Sequence, residues 1–182
     1  MGLQFEVIVS DFAEDLDLLS YKDKLCQYVI DTAEQKCRRV HAELKPNEQE
    51  AKKLIVIGAD TMCTLDNVAY GKPCDADDAF RILRTFSGRT LQVCTGVCIL
   101  QGDMSMRTFS ETTDVTFGSL DDETIRAYIE TGEPMNKAGA YGVQGLGGTL
   151  IKRIEGDYFN VVGFPMHHFC TEMKVLLTAE NK

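Results

Sequence analysis

Two strand-like runs, residues 91–100 and 105–117, are separated only by a turn around Gly102-Asp103. A connection this short joins antiparallel neighbours, because parallel strands need a crossover of about a dozen residues or more. The pattern therefore argues against a doubly wound parallel sheet and predicts an α/β fold built on a mixed sheet with flanking helices. Other elements fit around that pair. From residue 21 to 44, Leu25, Val29, Ala33, Cys37, Val40 and Leu44 recur at three or four, which predicts a long amphipathic helix. Lys45-Pro46-Asn47 ends it, since proline disfavours helical geometry in the residue before it. Asp75 caps a helix with Ala79, Leu83 and Phe86 on its apolar face, ending near Gly88. Asp121 opens another through Ile125 and Ile129, stopped by Gly132. Phe169, Met173, Leu176 and Leu177 mark a last helix, and the alternation over residues 5–9 predicts an opening strand.

The apolar run Leu54-Ile55-Val56-Ile57-Gly58-Ala59 reads as a buried strand with Asp60 at its tip, followed by Thr61. Such a carboxylate would be held rigidly at a sheet edge, where α/β folds place ligands. Gly71-Lys72-Pro73 suits a phosphate: the glycine lets the backbone approach it closely, and the proline stiffens the turn that presents the ammonium. Together these suggest carboxylate-assisted chemistry on a phosphorylated substrate. The plainer alternative is a turn-capping Asp and a solvated Lys.

With 182 residues and 44% hydrophobic content, a single domain spanning 1–182 is expected. No apolar run approaches the ~20 residues needed to cross a bilayer, so no membrane partner is expected. Seven cysteines without a C-x-x-C pair argue against zinc and disulfide frameworks and favour a reducing, cytoplasmic setting. Cys94 and Cys98 read as core residues, with Cys26 and Cys37 on or beside the helical stripe. A net charge of −9 excludes a typical nucleic-acid binder but not a small nucleotide, which a few local lysines can hold. His41, His167 and His168 show no metal-ligand spacing. Glu155-Gly156-Asp157 could contribute to a cleft or simply shape a turn.

A longer segment narrows the function. Glu133-Pro134-Met135-Asn136-Lys137-Ala138-Gly139-Ala140-Tyr141-Gly142-Val143-Gln144-Gly145 leads to Ile154-Glu155-Gly156-Asp157-Tyr158-Phe159-Asn160-Val161-Val162-Gly163-Phe164-Pro165. With Gly58-Ala59-Asp60-Thr61, Gly71-Lys72-Pro73, Ser87-Gly88-Arg89-Thr90 and Thr95-Gly96-Val97, the chain resembles the Maf family of nucleoside triphosphate pyrophosphatases, in the family's order and spacing. The resemblance implies the Maf fold, similar to the inosine-triphosphatase-like architecture, with an elongated sheet and two lobes around a cleft. It implies hydrolysis of a nucleoside triphosphate substrate between the α and β phosphates, with a divalent cation, Mg2+ or Mn2+, clamping phosphate oxygens. Asp60 matches the family's proton acceptor, and Lys72 and Lys36 its phosphate-facing lysines. Glu14 lies where the family carries an acidic residue near the metal, beside Asp60. Taken without the family, Lys36 is an ordinary helix lysine and Glu14 part of a solvated acidic run.

Gln144 and Thr61 match the specificity positions of the branch acting on dTTP and UTP. An amide offers both donor and acceptor to the O4 and N3–H edge of uracil or thymine, whereas a carboxylate would suit a donor-rich purine. The resemblance also suggests a homodimer. One departure stands out: the family's opening strand and its Ser-x-x-Arg phosphate loop have no counterpart here, so the expected domain is amino-terminally shortened. That leaves an alternative reading, a catalytically weak or inactive Maf-like domain kept for nucleotide binding or protein interaction.

Overall fold

In the computed structural model, residues 4–22, 24–51 and 53–179 are described. The amphipathic stripe becomes α1, Leu25–Leu44, which buries Val29, Thr32, Ala33, Cys37 and Val40. A 3-10 turn, Leu18–Tyr21, precedes it, with the Asp17 carboxylate accepting from the Leu19 amide. Lys45 takes the left-handed conformation at its C-terminus and donates its N–H to the His41 carbonyl; the chain leaves through Pro46. After a short α2, Glu48–Ala51, the sheet begins with β1, Ile55–Leu65, and β2, Val68–Tyr70. Asp66 and Asn67 join them, both at positive φ (52° and 60°), the backbone that a tight two-residue hairpin requires.

Asp75 caps α3, Ala76–Phe86, accepting from the Asp78 amide. The expected hairpin is β3, Thr90–Gln101, with β4, Met106–Phe117. Asp121 caps α4, Asp122–Glu130. Three 3-10 turns follow, Glu133–Asn136, Ala138–Ala140 and Leu146–Leu150, then β5, Ile151–Glu155, α5, Tyr158–Val162, and α6, Met166–Ala179. The sheet order is β2-β1-β3-β4-β5. Each pairing in it is antiparallel, where a mixed sheet was expected, so the α/β character lies in helices packed on an antiparallel sheet.

Strand alternation sorts the helices onto two faces. Val56 and Cys98 pack against Ala33, Cys37 and Val40 of α1. Val97, Ile99 and Phe109 point the other way, onto Phe169, Met173 and Leu176 of α6. Farther along that second face, Cys63, Leu65, Leu91, Val93, Val115 and Phe117 join Leu83 and Phe86 of α3 and Ile125 of α4 in the largest cluster. Two glycines let α1 lie close to the sheet. A Cβ at Gly58 would sit 2.7 Å from the Ala33 carbonyl oxygen, and one at Gly96 would overlap the backbone of Val29 and Ile30. No helix among the described residues is long and apolar enough to cross a membrane.

Three further expectations need correction. Residues 5–9 form no strand, and Met1 to Leu3 lie outside the described residues. Phe5, Val7 and Val9 are 79%, 78% and 88% exposed, while Ile8 packs on the α1 cluster. Alternation makes a strand only where a neighbour supplies ladder hydrogen bonds, and no described strand pairs with this segment. Second, Asp60 is not at a strand tip, because β1 continues to Leu65. Third, Cys26 of α1 and Cys94 of β3 are joined by a disulfide, where no disulfide was expected; the helix packing brings together two cysteines 68 positions apart.

Candidate functional site

Asp60 is paired with Gly96 across β1 and β3. On the other side of β1, β2 covers only Cys63 to Leu65. No described strand pairs with the outer edge of β1 where Asp60 and Thr61 stand. Since Gly96 has no side chain, α1 comes down over this point, and Lys36 reaches across to Asp60. Its Nζ donates to Asp60 Oδ1 at 2.8 Å and lies 2.8 Å from Glu14 Oε1. Glu14 arrives from the irregular segment before α1 with φ of 51°.

The electrostatics of the three groups differ. Burial pushes the Asp60 carboxyl above the ordinary carboxylate range, and the neighbouring Lys36 opposes that without cancelling it. Glu14, more exposed, is held below its ordinary value by the hydrogen bond from Lys36, with Lys72 adding a weaker pull. Lys36 loses some basicity to burial but gains more from Asp60 and Glu14, so its ammonium is stabilised. The site thus holds one carboxyl raised by burial, one held below its ordinary value, and the Lys36 ammonium between them. Lys72 is exposed on its turn, and its field reaches both Asp60 and Glu14.

Thr61 projects to the opposite face from Asp60. Its hydroxyl is 2.9 Å from that of Thr95 and 3.5 Å from the Gly163 carbonyl. Behind it, the buried Asn160 amide donates to Val93 O and Thr113 Oγ1, both at 3.0 Å. Gln144 occupies the tip of a turn in which Gly145 N–H donates to Gly142 O at 3.3 Å. Its side chain is exposed and makes no hydrogen bond among the described residues. The segment carrying it is tied to the Lys72 turn: Gly139 N–H donates to Gly71 O at 2.9 Å, and Gly139 is pressed against Cys63 of β1. The structure brings Glu14, Lys36 and Asp60 into direct contact, with Lys72 nearby; Thr61 and Gln144 stand apart from that trio.

Among the described residues no group of three or more His, Cys, Asp or Glu side chains is arranged to hold a metal. Glu14 and Asp60, converging on one cationic nitrogen, fit instead a hard cation that takes one or two carboxylates and completes its shell with water and phosphate. The other polar features are structural. His168 Nδ1 contacts Glu111 at 2.7 Å and its ring lies on Phe109, centroids 4.3 Å apart. Asp157 caps α5 by accepting from the Phe159 amide, and Glu155 pairs with Arg153, so that acidic segment shapes its turn. What sequence reasoning left without a role is Glu133, whose carboxylate accepts hydrogen bonds from the Tyr128 hydroxyl and the amides of Leu146 and Gly147.

The Maf-like protein family matches residues 1–176 of this chain. A human protein named as a probable bifunctional dTTP/UTP pyrophosphatase/methyltransferase is 42% identical over 179 residues, covering 94% of this chain and 28% of that protein. A dTTP/UTP pyrophosphatase of Clostridium botulinum (strain Alaska E43 / Type E3) is 38% identical over 173 residues, 94% of this chain and 87% of its own length. One of Thermococcus kodakarensis is 42% identical over 164 residues, 90% and 81% of the two chains.

Proposed function

The chain belongs to the Maf family, and from that premise we propose that it hydrolyses dTTP and UTP, including modified pyrimidine forms, to the monophosphate and pyrophosphate. The names of the bacterial and archaeal relatives, matched over most of their length, support the substrate class. The observation that carries the mechanism is the contact of Lys36 with both Asp60 and Glu14 at the stretch of β1 that β2 leaves unpaired.

Hydrolysis forms a bond from water oxygen to the α phosphorus and breaks the bond from that phosphorus to the bridging oxygen, which leaves with pyrophosphate. Asp60 takes the proton that water loses, the general-base role its carboxylate can fill. Lys36 and Lys72 oppose the negative charge of the phosphates, with Lys36 held by its two carboxylates and Lys72 exposed on its turn. A divalent cation, Mg2+ or Mn2+, held by Asp60 and Glu14 would add charge neutralisation on the phosphate oxygens. Gln144 presents an uncommitted amide to the nucleobase, and Thr61 is the second specificity position. The same reading makes the chain one domain, acting in the cytoplasm as a homodimer. In that reducing setting Cys26 and Cys94 would stand as thiols.

The test is pyrophosphate release in the presence of Mg2+ or Mn2+. dTTP and UTP should turn over faster than ATP and GTP, and Asp60→Asn should abolish the reaction while leaving the fold intact. Full activity in Asp60→Asn would remove Asp60 as the base. Binding of dTTP without release of pyrophosphate would favour the non-catalytic alternative.

A further inference from the structure

We infer that Glu133, with Tyr128, is the positioning residue that fixes the Gln144 turn and thereby sets the nucleobase preference; this rests on the reading of Gln144 given above. Each flank of the turn is pinned to the same small cluster. On the amino-terminal side, Gly142 N–H donates to the Tyr128 hydroxyl at 3.0 Å, and that hydroxyl donates to Glu133 Oε1 at 3.0 Å. On the carboxy-terminal side, Leu146 N–H donates to Glu133 Oε2 at 2.9 Å and Gly147 N–H to Oε1 at 3.0 Å. Between these anchors only Val143, Gln144 and Gly145 are free of them.

The turn wraps the carboxylate closely. A Cβ at Gly145 would overlap the Glu133 carboxylate, and one at Gly147 would collide with the Tyr128 hydroxyl. Gly145 therefore serves close approach to the Glu133 carboxylate, and Gly147 close approach to the Tyr128 hydroxyl and the Gly142 backbone. The donors also pull the Glu133 carboxyl below its ordinary range, the Gly147 amide most, then Leu146 and Tyr128. A carboxylate is the group this arrangement needs. Both oxygens accept, so a glutamine would turn one acceptor into an NH2 facing an N–H donor. At the other end of the segment, Gly139 bonds to Gly71 beside Lys72, so the held turn and the phosphate-facing lysine share one frame.

An exposed amide discriminates bases only if its donor and acceptor are held in one orientation, since specificity of this kind comes from correctly placed polar partners. Freed from Glu133, the turn would sample several orientations, and Gln144 would meet purines and pyrimidines alike.

The experiment compares kcat and KM for dTTP, UTP and ATP in the parent protein, Glu133→Gln, Tyr128→Phe and Gln144→Ala, with amide hydrogen exchange at Leu146 and Gly147. Glu133→Gln is expected to lower the dTTP-to-ATP ratio of kcat/KM by about tenfold or more, chiefly through KM for dTTP. Faster exchange at the two amides should accompany it. Tyr128→Phe, which removes one hydroxyl and keeps the ring, should move both readouts the same way and carries the test if Glu133→Gln does not fold. A merely structural role would lower the melting temperature and leave the base ratio unchanged. An unchanged ratio in the folded Glu133 and Tyr128 variants, with the ratio lost in Gln144→Ala, overturns this inference alone. An unchanged ratio in Gln144→Ala overturns the reading of Gln144 and the inference with it.

Discussion

Replacing Lys36 by methionine removes the charge while keeping most of the aliphatic stem, and it separates the two tasks assigned to this side chain. The first is holding carboxylates together. Lys36 and Asp60 are 20% and 14% exposed with N···O at 2.8 Å, where an effective dielectric of about 20 gives a gross attraction of about 6 kcal/mol. Desolvation offsets most of that, and the useful figure is the cost of leaving one partner behind. A fully buried pair would lose about 3–5 kcal/mol. Here Asp60 can take up a proton, and Glu14, 46% exposed, can turn to water. We therefore expect a loss of about 1–3 kcal/mol, that of an unsatisfied acceptor.

The second task is meeting phosphate. Charge-assisted hydrogen bonds contribute about 1.5–3 kcal/mol, so kcat/KM for dTTP should fall by roughly 10- to 150-fold. Thermal melting measures the first effect and pyrophosphate release the second. The double variant Lys36→Met/Asp60→Asn supplies the control: with no carboxylate stranded at position 60, its melting temperature should recover part of the loss, a coupling expected for residues in contact. A Lys36→Met protein with kcat/KM within twofold of the parent would refute the phosphate role. Equal melting temperatures in all forms would refute the account of the ion pair.

Gly96→Ala should be far more damaging than an ordinary Gly-to-Ala change, because its Cβ meets the backbone of α1 and not a movable side chain; we expect about 2 kcal/mol or more of lost stability and a large loss of activity as Lys36 lifts from Asp60, read by melting and turnover. Gln144→Glu should erode the preference for dTTP and UTP over purines, since a carboxylate cannot donate to O4; competition assays between dTTP and ATP measure it. Opening the Cys26–Cys94 disulfide with a reductant releases a loop of 68 residues, which the chain-entropy account values at up to about 4 kcal/mol, so the melting temperature should fall in dithiothreitol and not in Cys26→Ser. For Glu133 the pH sign follows from a depressed pKa caused first by the Gly147 amide, with Tyr128 and Lys137 beside it. Its contribution to the turn is present above the ordinary glutamate value and lost as pH falls through the lower folded value. Exchange protection at Leu146 and Gly147 should therefore persist through the range where an exposed glutamate protonates, and disappear only below it.

The elements legible in the sequence were those whose signal is local. Apolar spacing marked α1, Asp75 and Asp121 announced their helices, and the short Gly102-Asp103 turn fixed β3 against β4. The overlooked hairpin between β1 and β2 did leave a trace, since Asp66-Asn67 is a pair that accepts positive φ. Strand β5 left less, because Lys152 and Arg153 interrupt its short apolar pattern. Residues 5–9 show the reverse case, a strand pattern without a neighbour to complete it. At the site, motif positions named Asp60, Lys36, Lys72 and Gln144, but Glu133 could not be given a task, because two of its three partners are backbone amides that any residue type would supply. Asp60 and Thr61 carry the sharpest lesson. Adjacent in sequence, they point to opposite faces of β1, one to Lys36 on α1 and the other to Thr95 and Gly163. What unites them is the stretch of β1 edge that β2 leaves unpaired. That stretch is set by where a three-residue partner strand stops, so the chemistry of the site is written in its residue types and its unpaired edge in the length of a neighbour.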